Sequence, residues 1–266
     1  MKRLTNEFRT CIQTTFHDAS QFSEFERLLE TLQQLGFYGI ELNLPQLDSI
    51  SPRKLKDVLA KYDLTLHMLA TGAYAKAHGL SLSNPILQER EAAILGAKAN
   101  IDYAAQMGCG VIFGFFKGPK EGAVNARELL ISSLTTLACY AEEKGVDIFL
   151  EATNRKETTV ATTLADTLSI IQQVGQSNVK LLADTYHIEL EEPPVRTGIL
   201  AHANGLVHLH ISDNNRCFPG LGSLDFAEIY ASLREIGFSG VLSIEGNVVV
   251  SEMDDVKKSV AYLSGL

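Results

Sequence analysis

Short apolar runs alternate with longer amphipathic stretches along the whole chain. Strands are predicted over 10–15, 39–43, 64–69, 110–115, 147–151, 180–184, 206–211 and 241–245. Between them the apolar residues recur at helical spacing. Phe25, Leu28, Leu29, Leu32 and Leu35 make one such face, Leu129, Leu130, Leu134, Leu137 and Tyr140 a second, and Leu164, Leu168, Ile171 and Val174 a third. Gly36, Gly108, Gly145, Gly175, Gly205 and Gly237 each stand between a helical stretch and the next strand, where a left-handed helix cap is expected. Strands that alternate with helices imply right-handed crossovers and a parallel sheet. Eight such units in 266 residues are the complement of a single (β/α)8 TIM-barrel domain spanning 1–266. An open doubly wound sheet is the competing arrangement, but no Gly-x-Gly-x-x-Gly follows the first strand.

A barrel strand is buried on both sides, so an ionisable residue within one needs a reason. The fifth predicted strand ends in Glu151, the sixth in Asp184 and the eighth in Glu245, while the seventh carries His208 and His210. Strand alternation sends Val207, Leu209 and Ile211 outward onto the helices and both histidines inward. The same parity points Glu151, Asp184 and Glu245 inward. Adjacent strands lie about 4.8 Å apart, so these ends can converge at the C-terminal mouth, where barrels of this kind carry their active sites. Three facing carboxylates repel unless a cation sits between them. Three oxygen donors and one imidazole suit Mn2+, Mg2+ or Co2+ better than Zn2+. Each acid taken singly also fits a helix cap or a loop ion pair; the common parity of four strand ends favours a shared site.

Composition narrows the partners. The chain has 23 Lys and Arg against 32 Asp and Glu, a net charge of −9, which disfavours nucleic acid. No apolar run reaches the roughly 18 residues of a membrane span, and no secretory leader is visible. Cys11, Cys109, Cys139 and Cys217 are scattered, without a CxxC pair. A cytoplasmic location is therefore expected.

The motifs then resemble a known group. Glu151-Ala152-Thr153-Asn154-Arg155-Lys156-Glu157, Asp184-Thr185-Tyr186-His187 and His208-Leu209-His210 are similar to segments of the D-tagatose and D-psicose 3-epimerases. Asn215-Arg216, Pro219-Gly220-Leu221-Gly222 and the strand ending in Glu245 complete the resemblance. It extends, at the level of the barrel, to the xylose-isomerase-like sugar isomerases and epimerases. The resemblance implies a ketose 3-epimerase with one divalent ion, Mn2+ first, held by Glu151, Asp184, His210 and Glu245. Glu151 and Glu245 would double as the acid/base pair, working through a metal-stabilised enediolate. Glu157, His187 and Arg216 would bind a small sugar substrate, and a homodimer or homotetramer is the family expectation. Lys156 stands where an aromatic residue is expected, and Trp is absent.

Other readings share this platform: an aldose–ketose or hydroxypyruvate-type isomerase, an inosose dehydratase, or a sugar-binding barrel without catalysis. A DNA-repair endonuclease barrel gathers several zinc ions with more histidines, and seven His with a net charge of −9 speak against it. Glu41, His67 and Lys117 are further candidate substrate contacts, with satisfied strand-end residues or a solvated loop lysine as the alternative. His208, one layer deeper than His210, is expected to support it rather than bind an ion. The turn at 219–223 either cradles a phosphate or simply shapes its loop, with Ser223 or Asp225 capping the next helix.

Overall fold

The computed structural model describes residues 3–5, 7–118 and 123–266. Met1 and Lys2, the start of the N-terminal stretch considered above, lie outside that range. The strands are β1 (Arg9–Thr15), β2 (Gly39–Asn43), β3 (Thr65–Ala70), β4 (Gly110–Phe113), β5 (Ile148–Glu151), β6 (Val179–Asp184), β7 (Leu206–Ile211) and β8 (Val241–Ile244). They pair in parallel in chain order, and β1 pairs with β8 to close the barrel. The TIM-barrel expectation is met, and closure leaves no sheet edge exposed.

The outer helices are α1 (Phe22–Leu35), α2 (Pro52–Lys61), α3 (Gly72–His78), α4 (Leu87–Met107), α5 (Ala126–Glu143), α6 (Leu164–Val174), α7 (Thr185–Glu191), α8 (Val195–Ala201), α9 (Phe226–Glu235) and α10 (Glu252–Leu263). The short α3 and α7 follow β3 and β6 directly, and the eight-unit pattern did not foresee them. The predicted α1 face is the buried one. The α6 face is turned slightly, so that Ile170 is buried while Leu168 and Ile171 are only half covered. Gly36, Gly108, Gly145, Gly175 and Gly237 take the expected positive φ. Gly205 does not; α8 ends earlier, at Ala201, and Gly205 closes a turn by donating to the His202 carbonyl at 3.0 Å.

Two strands depart from simple alternation. Between β6 and β7 the register slips, pairing Leu181 with Leu206 but Leu182 with His208. Val207 is the extra residue and stands 42% exposed rather than packing on a helix. A similar slip between β2 and β3 places His67 out of register, and Met68 and Ala70 then point inward. Strand β4 stops at Phe113, short of Phe115, because Gly114 (φ −98, ψ −90) leaves the strand region and Phe115–Lys117 forms a 3-10 turn.

Inside the barrel the two halves differ. Met68, Ala70, Ile112, Phe149 and Leu182, from β3 to β6, make an apolar cluster. Opposite them, β2, β7 and β8 bury Glu41, His208, His210 and Ser243. Apolar packing outside the strands carries the fold. The lumen carries the polar groups.

Candidate active site

Register brings the inward acids together. Asp184 on β6 lies directly beside His210 on β7, and His210 beside Ser243 on β8. Glu245 follows β8 by one residue, its N–H donating to the Ile211 carbonyl at 3.3 Å. One ligand atom from each of Glu151, Asp184, His210 and Glu245 lies within 4.8 Å of the others. His210 Nδ1 stands 2.6 Å from Glu245 Oε2 and 3.6 Å from Glu151 Oε1. Asp184 and His210 are fully buried.

The donor set fits a divalent cation. His210 Nδ1, Glu151 Oε1 and Glu245 Oε2 are buried, face one another and have no hydrogen-bond partner. Three carboxylates against one imidazole leave an excess of negative charge, which Arg216 partly offsets by pairing with Asp184 and, at 2.8 Å, with Glu245. Burial alone would raise the Glu245 carboxyl, but Arg216 and His210 outweigh it and hold that group far below the usual carboxylate range. His210 responds in the opposite sense. Burial favours its neutral form, yet Glu41 and Glu245 pull its pKa well above the ordinary value.

Glu151, Glu245, Glu157, His187 and Arg216 line one cavity of about 240 Å3, together with Gln13, Asn43, Gly72 and Phe115. Burial pushes the His187 imidazole down to about 4. Its Nδ1 accepts the Asn154 backbone N–H at 3.3 Å, so the proton of the neutral ring sits on Nε2, which is 3.8 Å from Glu151 Oε1. Burial also raises the Glu157 carboxyl, against the pull of Arg216 and Asn154.

Over residues 29–266 the sequence matches the family described as xylose isomerase-like TIM barrel. The chain belongs to that family. It is 31% identical to an L-ribulose 3-epimerase of Methylomonas sp. (strain DH-1) over 231 residues, 84% of this chain and 78% of the relative. A D-psicose 3-epimerase of Enterocloster bolteae is 27% identical over 258 residues, covering 91% of this chain and 85% of that one. Among solved structures, the D-allulose 3-epimerase of Methylomonas sp. shares the fold with a TM-score of 0.82 at 22% identity, covering 99% of both chains. A 3-keto-D-glucoside 4-epimerase of E. coli does so with 0.81 at 22%, covering 98% of this chain and all of that one. These relatives are epimerases acting on carbohydrates.

Three candidate contacts of this family member lie elsewhere. Glu41 is mid-strand and fully buried below the cavity, where it meets His208 Nε2 at 2.6 Å and His210 Nε2 at 2.9 Å. His67 opens on the opposite end of the barrel, in a cleft with Tyr38, Lys56 and Met107. Lys117 is buried; its Nζ donates to the Glu151 carbonyl, to Thr153 Oγ1 at 2.9 Å and to the Ala161 carbonyl at 3.1 Å. Its surroundings are neither solvent nor this cavity. The turn at 219–223 holds no phosphate cradle, because the N–H groups of Gly220 and Gly222 donate to Asp213 at 2.9 Å each. Asp225 is the cap of α9.

Sequence reasoning passed over two organising residues. Asn154 donates from Nδ2 to Glu157 Oε1 at 3.0 Å and faces His187 Nδ1 at 2.8 Å, joining two cavity residues. Its place in the Glu151–Glu157 motif was the available signal. Asp213, fully buried, takes four backbone N–H groups, from Asn214, Gly220, Gly222 and Leu224. It shapes the loop that carries Arg216. The dense glycines at 220 and 222 hinted at it.

Proposed function

We propose that the protein is a divalent-metal-dependent ketose 3-epimerase. The observation that carries this is the meeting of Glu151 and Glu245 at one cavity, each with a buried oxygen that no donor satisfies. Glu151, Asp184, His210 and Glu245 would hold the ion, and their oxygen-rich set suits Mn2+, then Mg2+ or Co2+. Bound there, the cation would act as a Lewis acid on the carbonyl oxygen of the substrate.

Epimerisation beside a carbonyl removes one C–H proton and returns another on the opposite face. Glu245, kept ionised by Arg216 and His210, takes the proton in one direction. Glu151, having taken up a proton from solvent, delivers it to the other face while Glu245 releases the one it took, and the roles reverse for the reverse reaction. Arg216 offers a fixed fork of donors to adjacent substrate oxygens. His187 presents its Nε2–H, burial favouring the neutral ring. Glu157 accepts from a sugar hydroxyl while Asn154 holds it in place.

Glu151→Gln and Glu245→Gln test the assignment in deuterated buffer with Mn2+ and a panel of ketoses. Each variant loses deuterium incorporation at the epimerised carbon; wild-type exchange in both would sink the two-base reading. A 1,2-carbonyl shift would point to an isomerase and loss of water to a dehydratase. A second reading is epimerisation of a keto-glycoside. It is favoured by 32% identity over 122 residues to the 3-dehydro-D-guloside 4-epimerase of E. coli. Inversion at C4 in place of C3 would identify it.

A further inference from the structure

Beneath the four proposed ligands lies a second, sealed layer: Glu41, His208 and His210, all fully buried. Its charge balance differs from the layer above. One carboxylate faces two imidazoles, so this set needs no cation to offset it. We propose that Glu41 is a positioning residue, which holds His210 as the tautomer that presents Nδ1 to the metal. This rests on the reading of Glu151, Asp184, His210 and Glu245 as a metal centre.

The geometry is directional. Glu41 Oε2 lies 2.9 Å from His210 Nε2, a hydrogen-bonding contact, while Nδ1 on the other side of the ring faces Glu151 and Glu245. A carboxylate only accepts, so Nε2 carries a proton, and with an ion bound between Nδ1, Glu151 and Glu245 the lone pair of Nδ1 would be the one left to face it. Histidine ligands commonly need such a partner to fix ring orientation. Glu41 is fixed in turn. Its other oxygen meets His208 Nε2 at 2.6 Å, and Gln13 Nε2 approaches Oε2 at 3.4 Å. Asn43 donates to Gln13 at 2.8 Å and accepts the Ala73 N–H at 3.2 Å, so the chain of contacts runs from the start of α3 to the proposed ligand. Gln13 and Asn43 also line the substrate cavity, which ties that wall to His210.

The test measures Mn2+ binding to the whole protein by calorimetry, without substrate, for wild type, Glu41→Gln and Glu41→Asp. Glutamine is neutral and keeps one acceptor oxygen, where the carboxylate sets a charged oxygen against each of the two imidazoles. Glu41→Gln is therefore expected to weaken Mn2+ binding about 10- to 100-fold, with partial recovery in Glu41→Asp. Unchanged affinity in a folded Glu41→Gln protein overturns the assignment and leaves the metal centre standing. Absence of Mn2+ binding by the wild type overturns the metal centre and this assignment together. Should Glu41→Gln not fold, nitrogen NMR of 15N-histidine-labelled wild type with Mg2+ decides instead. A proton on His210 Nε2 supports the role of Glu41, and a proton on Nδ1 refutes it.

Discussion

Gly114 leaves the space that the Glu151 carboxylate fills: a β-carbon at position 114 would stand 2.0 Å from Glu151 Oε2. The glycine ends β4 at the barrel mouth, next to the strand that delivers Glu151. Gly114→Ala should therefore displace that carboxylate while sparing the outer core. We expect turnover and Mn2+ affinity to fall at least tenfold while far-UV circular dichroism stays unchanged. Wild-type affinity in this variant would show that Glu151 has another place to go.

Lys117 ties three acceptors of the β5–α6 segment together from inside the protein. Lys117→Met keeps much of the volume and leaves two carbonyls and one hydroxyl without their donor. Each unsatisfied buried group costs about 1–3 kcal/mol, offset in part because a buried charge is removed. The net expectation is a loss of about 2 kcal/mol, measured by urea unfolding. A variant as stable as wild type would mean that the segment finds other donors.

Asp213→Asn tests the loop that carries Arg216. The aspartate accepts four backbone N–H groups at 2.9 Å, and an amide offers one acceptor oxygen where the carboxylate has two. A larger side chain cannot replace Gly222 to compensate, since its β-carbon would lie 2.4 Å from Asp213 Oδ1. The expected result is faster amide hydrogen exchange over 213–224 and a raised KM for the sugar. Exchange at the wild-type rate would place the rigidity of the loop elsewhere.

His67, whose ring opens at the far end of the barrel from the cavity, gives a pH dependence of its own. Burial, reinforced by His208, lowers its pKa from 6.5 to about 4. Between these values the unfolded chain binds the proton and the folded one does not, so stability falls as pH drops from 6.5 towards 4. Replacing His67 with Phe removes this contribution. The slope of stability against pH should then be shallower in that window by up to about 1.4 kcal/mol per pH unit. Urea midpoints at pH 4.5, 5.5 and 6.5 check it, and parallel slopes for the two proteins would contradict it.

The barrel was legible because its signals are local. Alternation at i, i+2 placed Asp184, His210 and Glu151 on the lumen side, and helical spacing gave the outer face of α1. The same parity misjudged Val207, because a bulge is a property of the strand pair and leaves no mark in one strand alone. It also gave Glu41 to the substrate. Parity says that a side chain points inward but not at what height, and height is set by the registers of the strand pairs around the closed barrel.

By itself, then, the sequence determined the eight-unit barrel, the inward acids and imidazole at the ends of its later strands, and the motifs of its family. Only the tertiary structure decided which buried groups satisfy one another: Glu41 with His210, Lys117 with the Glu151 carbonyl, Asp213 with the turn at 219–224, Gly114 with Glu151. The reason is physical. Periodicity is written into neighbouring residues, whereas a buried charge is stabilised by partners from several to well over a hundred positions away, as Glu41 and His210 are at 169. Closure of the barrel brings those partners to hydrogen-bonding distance.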